Sequence, residues 1–204
     1  MSRGWRRHSG PAVALDQESV DTDQLIPARF MVTPRAEGYG RFLLHDLRYD
    51  PDGAPVAGFP LNRHPQASLL VSRRNFGSGS SREAAVYALV DFGIRVVVAP
   101  SFGDIFAANA VNNGLLPARV ASTEALIAAL GQGTLEGQAD LEAQTLSIGE
   151  TTLPFEIDAA WREKLINGWD DIDLTQTRKT EIAAYRERRA REAPWAFTNQ
   201  TDTT

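Results

Sequence analysis

The segment from Ser68 to Ala99 reads SLLVSRRNFGSGSSREAAVYALVDFGIRVVVA and has the most regular pattern in the chain. Two apolar runs within it, Ser68–Ser72 and Ile94–Ala99, are typical of buried strands. Between them, Arg82–Asp91 has the apolar spacing of a helix, and Gly93 ends that helix. A strand, a helix and a second strand in one sheet form a parallel pair with a right-handed crossover. The segment therefore predicts a parallel sheet with a helix packed on it.

Further strands and helices are predicted on both sides of this unit. A strand begins at Val13, and a hairpin spans residues 144–157, where alternating apolar residues flank a Gly-Glu turn. Helices are predicted at Asp104–Asn112, at Asp158–Asn167 and, with many charges, at Thr177–Glu192. Parallel and hairpin connections together indicate an α/β or α+β domain.

The domain organisation follows from composition along the 204 residues. Residues 1–11 are predicted to be a flexible arm, residues 12–192 a single domain, and residues 193–204 a flexible tail. Within the domain, residues 29–66 are rich in glycine, proline and aromatic residues. Such a long excursion predicts a lid or a binding loop.

Composition excludes several classes of function. The sequence contains no cysteine, which rules out disulfides, thiolate nucleophiles, zinc fingers and an iron–sulfur cluster held by this chain. Its three histidines, His8, His45 and His64, have no metal-ligand spacing, so no metal site is expected. The net charge of −5 argues against a nucleic-acid partner. No apolar run is long enough for a membrane span, and no signal peptide is evident, which predicts a cytoplasmic protein.

The loop Asn75–Glu83 carries the strongest chemical signal. Its glycines permit a tight turn, and the helix after it offers free N–H groups to an anion. The hydroxyls of Ser80 and Ser81 and the guanidinium of Arg82 suit a carboxylate or a phosphate. Ser80 and Glu83 also have capping-box spacing, so a capped helix after a glycine-rich turn explains the spacing equally well. The loop matches neither a P-loop nor a dinucleotide fingerprint, and no nearby histidine could activate a serine.

A second signal is the acidic segment Asp21-Thr22-Asp23. Its carboxylates could hold a metal, orient a serine or pair with an arginine. Turn and capping chemistry explains the same residues, because Asp and Thr both favour such positions. Among the arginines of the excursion, Arg35 is the best candidate to reach a site.

Four motifs occur in the order found in the small subunit of 3-isopropylmalate dehydratase, an isomerase of leucine biosynthesis in the aconitase superfamily. The chain resembles this family over residues 8 to 186. The motifs are Val20–Phe30, Asn75–Glu83, Ala99–Phe106 and Asn112–Pro117.

The resemblance implies a swivelling β/β/α domain, a mixed sheet with flanking helices, that closes over the active site of a large subunit. A heterodimer with that subunit is expected, and its 4Fe–4S cluster would act as a Lewis acid on the substrate. No cofactor is expected on this chain. Ser80 would be the catalytic base, and the residues implied in substrate binding are Ser81, Arg82, Arg35, Asp21, Thr22 and Asp23.

Two positions depart from the family pattern around the loop. Ser78 stands in place of a cysteine and Ala84 in place of a histidine. Two alternatives therefore remain beside isopropylmalate isomerisation. One is a related hydro-lyase subunit for citramalate, homocitrate or dimethylmalate, with substrate choice in residues 29–42. The other, favoured by Ala84, is a paralogue that binds a carboxylate or a partner without turnover.

Overall fold

The protein is described by a computed structural model that covers residues 4–197. Residues up to Asp170 form one compact unit, and the residues from Asp171 onward form a second. The first unit contains a seven-stranded mixed sheet in the order β4-β3-β2-β1-β5-β6-β7. The strands are β1 (Arg7–Leu15), β2 (Leu69–Ser72), β3 (Val96–Ala99), β4 (Leu116–Arg119), β5 (Leu135–Asp140), β6 (Thr145–Ile148) and β7 (Thr151–Pro154).

The helices of the first unit lie between and after these strands. They are α1 (Thr22–Leu25), α2 (His45–Arg48), α3 (Pro60–Arg63), α4 (Glu83–Phe92), α5 (Asp104–Asn112), α6 (Glu124–Leu130) and α7 (Ala159–Asn167), with short 3₁₀ turns at Ala28–Phe30, Arg35–Glu37 and Gly40–Phe42. The second unit contains α8 (Asp171–Gln176), α9 (Lys179–Glu192) and a 3₁₀ turn at Pro194–Ala196.

The predicted parallel core is confirmed. Strand β1 pairs in parallel with β2, β2 with β3, and β3 with β4. Alternate side chains of these strands enter two separate cores, because successive residues of a strand point to opposite faces. Leu70 and Val97 lie in one core, whereas Leu69 and Val96 lie in the other, and all four are fully buried. Burial on both faces explains why the two runs are continuously apolar.

The other half of the sheet is antiparallel. Strand β5 pairs with β1, and the predicted hairpin follows as β6 and β7. Strand β5 has no clear alternating pattern and is absent from the sequence-based prediction. After β7 the chain reaches the opposite edge of the sheet, where Glu156 bridges Arg119 at the end of β4. The sheet is therefore curled until its two edges meet.

The predicted domain boundaries need correction. Strand β1 begins at Arg7, which pairs with Asp140, so the second half of the predicted arm belongs to the sheet. Backbone hydrogen bonds to β5 order these residues despite their polar composition. The predicted single domain 12–192 also crosses the division at Asp170. The tail begins with the 3₁₀ turn already given, and residues 1–3 and 198–204 lie outside the described part of the chain.

The excursion 29–66 contains packed structure. Leu43, Leu44 and Leu61 are fully buried. The buried guanidinium of Arg48 donates to the carbonyl of Leu43 at 3.2 Å and to Oδ1 of Asn62 at 2.9 Å. The excursion is thus anchored by its own apolar side chains on the core that also contains α4.

Candidate active site

The candidate loop lies at the carboxyl edge of the parallel strands. After β2, the N–H of Phe76 donates to the carbonyl of Ser101 at 3.0 Å, and the N–H of Gly103 donates to the carbonyl of Phe76 at 2.9 Å. The segments that follow β2 and β3 therefore run side by side beyond the sheet. Ligands of open α/β sheets bind at this edge.

Two glycines of the loop have conformations that other residues rarely adopt. Gly77 has a φ of 71° and Gly79 a φ of 91°. A Cβ atom on Gly77 would lie 2.2 Å from the ring of Phe106. Gly103 approaches the same backbone, since a Cβ there would lie 2.5 Å from the carbonyl oxygen of Gly77. Gly77 and Gly103 are therefore needed for close packing between the loop and the start of α5.

The acidic segment holds the loop in place. The N–H of Thr22 donates to the carbonyl of Ser78 at 3.0 Å, and its hydroxyl donates to the carbonyl of Ser80 at 3.0 Å. Asp21 caps α1, because its carboxylate accepts from the N–H of Gln24 at 2.7 Å and its own N–H donates to the Gln24 side chain at 3.0 Å. The segment therefore caps a helix, as turn and capping chemistry predicts, and it also contacts the candidate loop.

Asp23 pairs with Arg82. One N–H of the Arg82 guanidinium donates to the Asp23 carboxylate. The side chain of Arg82 is 22% exposed, whereas that of Asp23 is 58% exposed. Within residues 4–197 no other side chain accepts from this guanidinium, so its remaining donors are available to a ligand. Pairing with an arginine was one of the roles predicted for this segment.

Ser80 and Ser81 are both exposed. No hydrogen bond to either hydroxyl is present in the described part of the chain. The capping role predicted for Ser80 is wrong: α4 begins at Glu83, its N-cap residue is Arg82, and it has no side-chain cap. The backbone at Arg82 is extended, with φ −116° and ψ 100°, so the helix does not continue back to Ser80. Both hydroxyls remain free beside an uncapped helix N-terminus, which favours negative charge.

The carboxylate of Glu83 points to α5 instead of to Ser80. It accepts from Nδ2 of Asn113 at 3.1 Å. Burial, and then the carboxylate of Glu83, raise the pKa of Tyr87. Asn113 lies within one of the motifs quoted above, but nothing in the sequence indicates that it meets Glu83.

Arg35 is not brought to the loop. Its guanidinium donates to both carboxylate oxygens of Asp91, at 2.7 and 3.0 Å. It also lies over the ring of Tyr87, 4.2 Å from the centroid. Asp91 is eight residues beyond Glu83 on α4, about 12 Å along the helix axis. In this structure Arg35 therefore pairs with a carboxylate at the far end of α4 from Glu83, and its role in substrate recognition stays a prediction.

The chain is similar in sequence and in fold to known proteins. The Aconitase C-terminal domain family matches residues 4–123. The 3-isopropylmalate dehydratase small subunit of Shouchella clausii is 43% identical over 188 residues, which cover 90% of this chain and 95% of that protein. The small subunit of the same name from Shewanella denitrificans is 45% identical over 193 residues.

The chain belongs to the family of 3-isopropylmalate dehydratase small subunits. A crystal structure of 3-isopropylmalate dehydratase from Methanocaldococcus jannaschii has the same fold, with a TM-score of 0.65 and 25% identity. The match covers 88% of this chain and 99% of that one. This confirms the fold class and the family inferred from the four motifs.

The two departures from the small-subunit pattern have different surroundings. Ser78 is half-buried and forms a backbone bridge with Asp21. Its carbonyl accepts from the N–H of Thr22 at 3.0 Å, a backbone contact that does not depend on the side chain. Ala84 is partly buried in the first turn of α4 and packs against the apolar core. Alanine has no polar side-chain atom, so it cannot make the hydrogen bonds that a histidine in the same turn could make.

Over residues 4–197, no group of three His, Cys, Asp or Glu residues lies close enough together to hold a metal ion. In the same range, no helix combines the length and apolar character of a membrane span.

Proposed function

We propose that this chain is the small subunit of a 3-isopropylmalate dehydratase, a hydro-lyase of leucine biosynthesis. The enzyme would interconvert 2-isopropylmalate and 3-isopropylmalate by dehydration and rehydration. The observation that carries the proposal is the exposed pair Ser80 and Ser81 beside Arg82, on a loop that belongs to this family. The named relatives support isopropylmalate over the other hydroxy acids considered.

Three residues of the loop have roles in this reaction. Arg82 binds a substrate carboxylate through the guanidinium donors that Asp23 leaves available. Ser81 donates a hydrogen bond to the substrate. Ser80, as its alkoxide, takes the proton from the carbon next to the hydroxyl-bearing carbon. The electron pair of that C–H bond forms the double bond, and the C–O bond breaks so that its electron pair leaves with the hydroxide. In the return step the hydroxide adds to the deprotonated carbon, and the Ser80 hydroxyl gives its proton to the carbon that lost the hydroxyl, which restores the alkoxide.

The surroundings of Ser80 favour its deprotonated form. The uncapped N-terminus of α4 and the guanidinium of Arg82 both contribute positive potential. Thr22 fixes the backbone of Ser80 through the 3.0 Å hydrogen bond to its carbonyl. Asp21 and Asp23 support the loop instead of contacting the substrate. Asp21 caps α1 and forms a backbone bridge with Ser78, and Asp23 is the partner of Arg82.

The iron–sulfur cluster that the family implies does not fit the residues of this chain. The sequence has no thiolate ligand, and the carboxylates of Asp21 and Asp23 are engaged by Gln24 and Arg82. We therefore assign the cluster to a large subunit, with which this chain forms a heterodimer. When bound there, the cluster would act as a Lewis acid on the substrate.

The test is reconstitution with the large subunit from the same organism. The complex is expected to interconvert 2- and 3-isopropylmalate, with a higher kcat/KM than for citramalate, homocitrate or dimethylmalate. Each subunit alone should be inactive, and this chain should stay colourless after iron and sulfide are supplied. Visible cluster absorption from this chain alone would contradict the cluster assignment. A complex that binds isopropylmalate without turnover would favour the non-catalytic paralogue.

A further inference from the structure

Helix α5 contacts the chain on both sides of Ser80–Arg82. Near its N-terminal end, the ring of Phe106 packs on Gly77, three residues before Ser80. At its C-cap, Asn113 hydrogen-bonds Glu83, the residue after Arg82. Helix α5 and its C-cap residue thus contact the chain at both ends of the segment to which the proposed function assigns the base and the carboxylate-binding arginine.

The amide of Asn113 is oriented by its own helix. Its Nδ2 donates to the carbonyl of Asn109 at 2.9 Å as well as to Glu83 at 3.1 Å. Its backbone N–H donates to the carbonyls of Asn109 and Ala110, at 3.2 and 3.1 Å. Since the backbone and the side chain are both bonded to the last turn of α5, the amide presents its second N–H to Glu83 in a fixed direction.

Glu83 connects this amide to the first turn of α4. Its carboxylate accepts from Asn113, and Glu83 itself is the first residue of α4. The helix has no side-chain cap at its N-terminus. The hydrogen bond between Glu83 and Asn113 is therefore one of the contacts that hold the junction between Arg82 and α4.

We propose that Glu83 and Asn113 are positioning residues for this active site. Their hydrogen bond fixes the start of α4, and through it the direction in which Arg82 and Ser80 face the substrate. The inference rests on the proposed function for the roles of Arg82 and Ser80. Neither Glu83 nor Asn113 is assigned a contact with substrate.

The first test measures kcat and KM for 2-isopropylmalate in the complex with the large subunit. Glu83→Ala and Asn113→Ala should each lower kcat/KM by about three- to tenfold, the usual effect of one lost hydrogen bond. The double variant should be no worse than either single variant, because both remove the same bond. Glu83→Gln keeps an oxygen acceptor and should retain most of the activity. Asn109→Ala is the matched control, because it keeps the backbone carbonyl of residue 109 that accepts from the Asn113 amide.

The second test does not depend on turnover. Hydrogen exchange of the amides of residues 77–84 in the full-length chain should be faster in Asn113→Ala and unchanged in Asn109→Ala. Unchanged exchange in Asn113→Ala, or additive losses in the double variant, would overturn the proposal. A loss in Glu83→Gln as large as in Glu83→Ala would assign the effect to the charge of Glu83 at the helix N-terminus. If the wild-type complex fails to isomerise isopropylmalate, the proposed function fails, and the exchange experiment still decides whether this pair fixes the loop.

Discussion

Arg82 and Asp23 form an ion pair between segments that lie 59 positions apart in the chain. The pair joins α1, the helix that follows β1, to the loop that follows β2. Strands β1 and β2 are neighbours in the sheet. Asp23 engages one N–H of the guanidinium and fixes its direction. The remaining N–H groups keep the planar geometry that matches a carboxylate.

Arg82→Lys should weaken catalysis severely and leave the fold intact. A lysine keeps the charge but loses the planar fork, and one lost charged hydrogen bond costs about 1.5–3 kcal/mol. We expect kcat/KM for 2-isopropylmalate to fall by roughly ten- to 150-fold, with an unchanged melting temperature. Near-normal turnover in the reconstituted complex would remove Arg82 from the site.

Ser80→Ala and Ser81→Ala should differ in activity but not in stability. Ser80 does not cap α4, and both side chains are exposed, so neither substitution removes a structural contact. We expect Ser80→Ala to lose turnover by several orders of magnitude, because it removes the base, and Ser81→Ala to retain more. Steady-state kinetics and thermal denaturation of the two variants, measured side by side, check this. Turnover by Ser80→Ala at a rate comparable to wild type would exclude the serine-base mechanism.

Gly77→Ala should destabilise the protein and disturb the loop. The new methyl group would overlap the Phe106 ring, and the φ of 71° is unfavourable for alanine. Overpacking and the left-handed backbone together cost about 2–4 kcal/mol. Gly58→Ala is the control, because a Cβ there meets nothing within 4 Å. Urea denaturation of both variants measures the difference, and equal midpoints would show that the loop can move away from α5.

His8 should make the stability depend on pH. Burial, and then the positive charge of Arg95, lower its pKa below the ordinary value of 6.5. The unfolded chain therefore takes up a proton at a higher pH than the folded chain. The resulting contribution to stability is fully present above pH 6.5 and is lost as the pH falls through the lower folded pKa.

The variant His8→Gln isolates this contribution. The fall in urea midpoint between pH 7.5 and pH 5 should be smaller in His8→Gln than in wild type, because glutamine does not titrate. The carboxyl groups are the same in both proteins, so their effect on the urea midpoint cancels in the comparison. An identical fall in the two proteins would show that His8 has the same pKa in the folded and unfolded chains.

The local structure around the site could be predicted from the sequence. The two apolar runs, the helix between them and the turn at Gly77 and Gly79 follow from periodicity and from backbone preferences, which act over a few residues. The order of the four motifs also determined the family. Strand β5 was missed because its residues alternate poorly, and its pairing with β1 comes from the whole sheet rather than from local preference.

Which polar side chains contact each other depends on the tertiary structure. Arg35 could reach any carboxylate near the excursion, and packing against α4 gave it Asp91. Glu83 has the spacing to cap its own helix, yet it bonds Asn113 on the neighbouring helix. The physical reason is that a sequence pattern fixes backbone conformation and burial over one or two turns, whereas the partner of a long polar side chain depends on the position of distant elements in the packed fold.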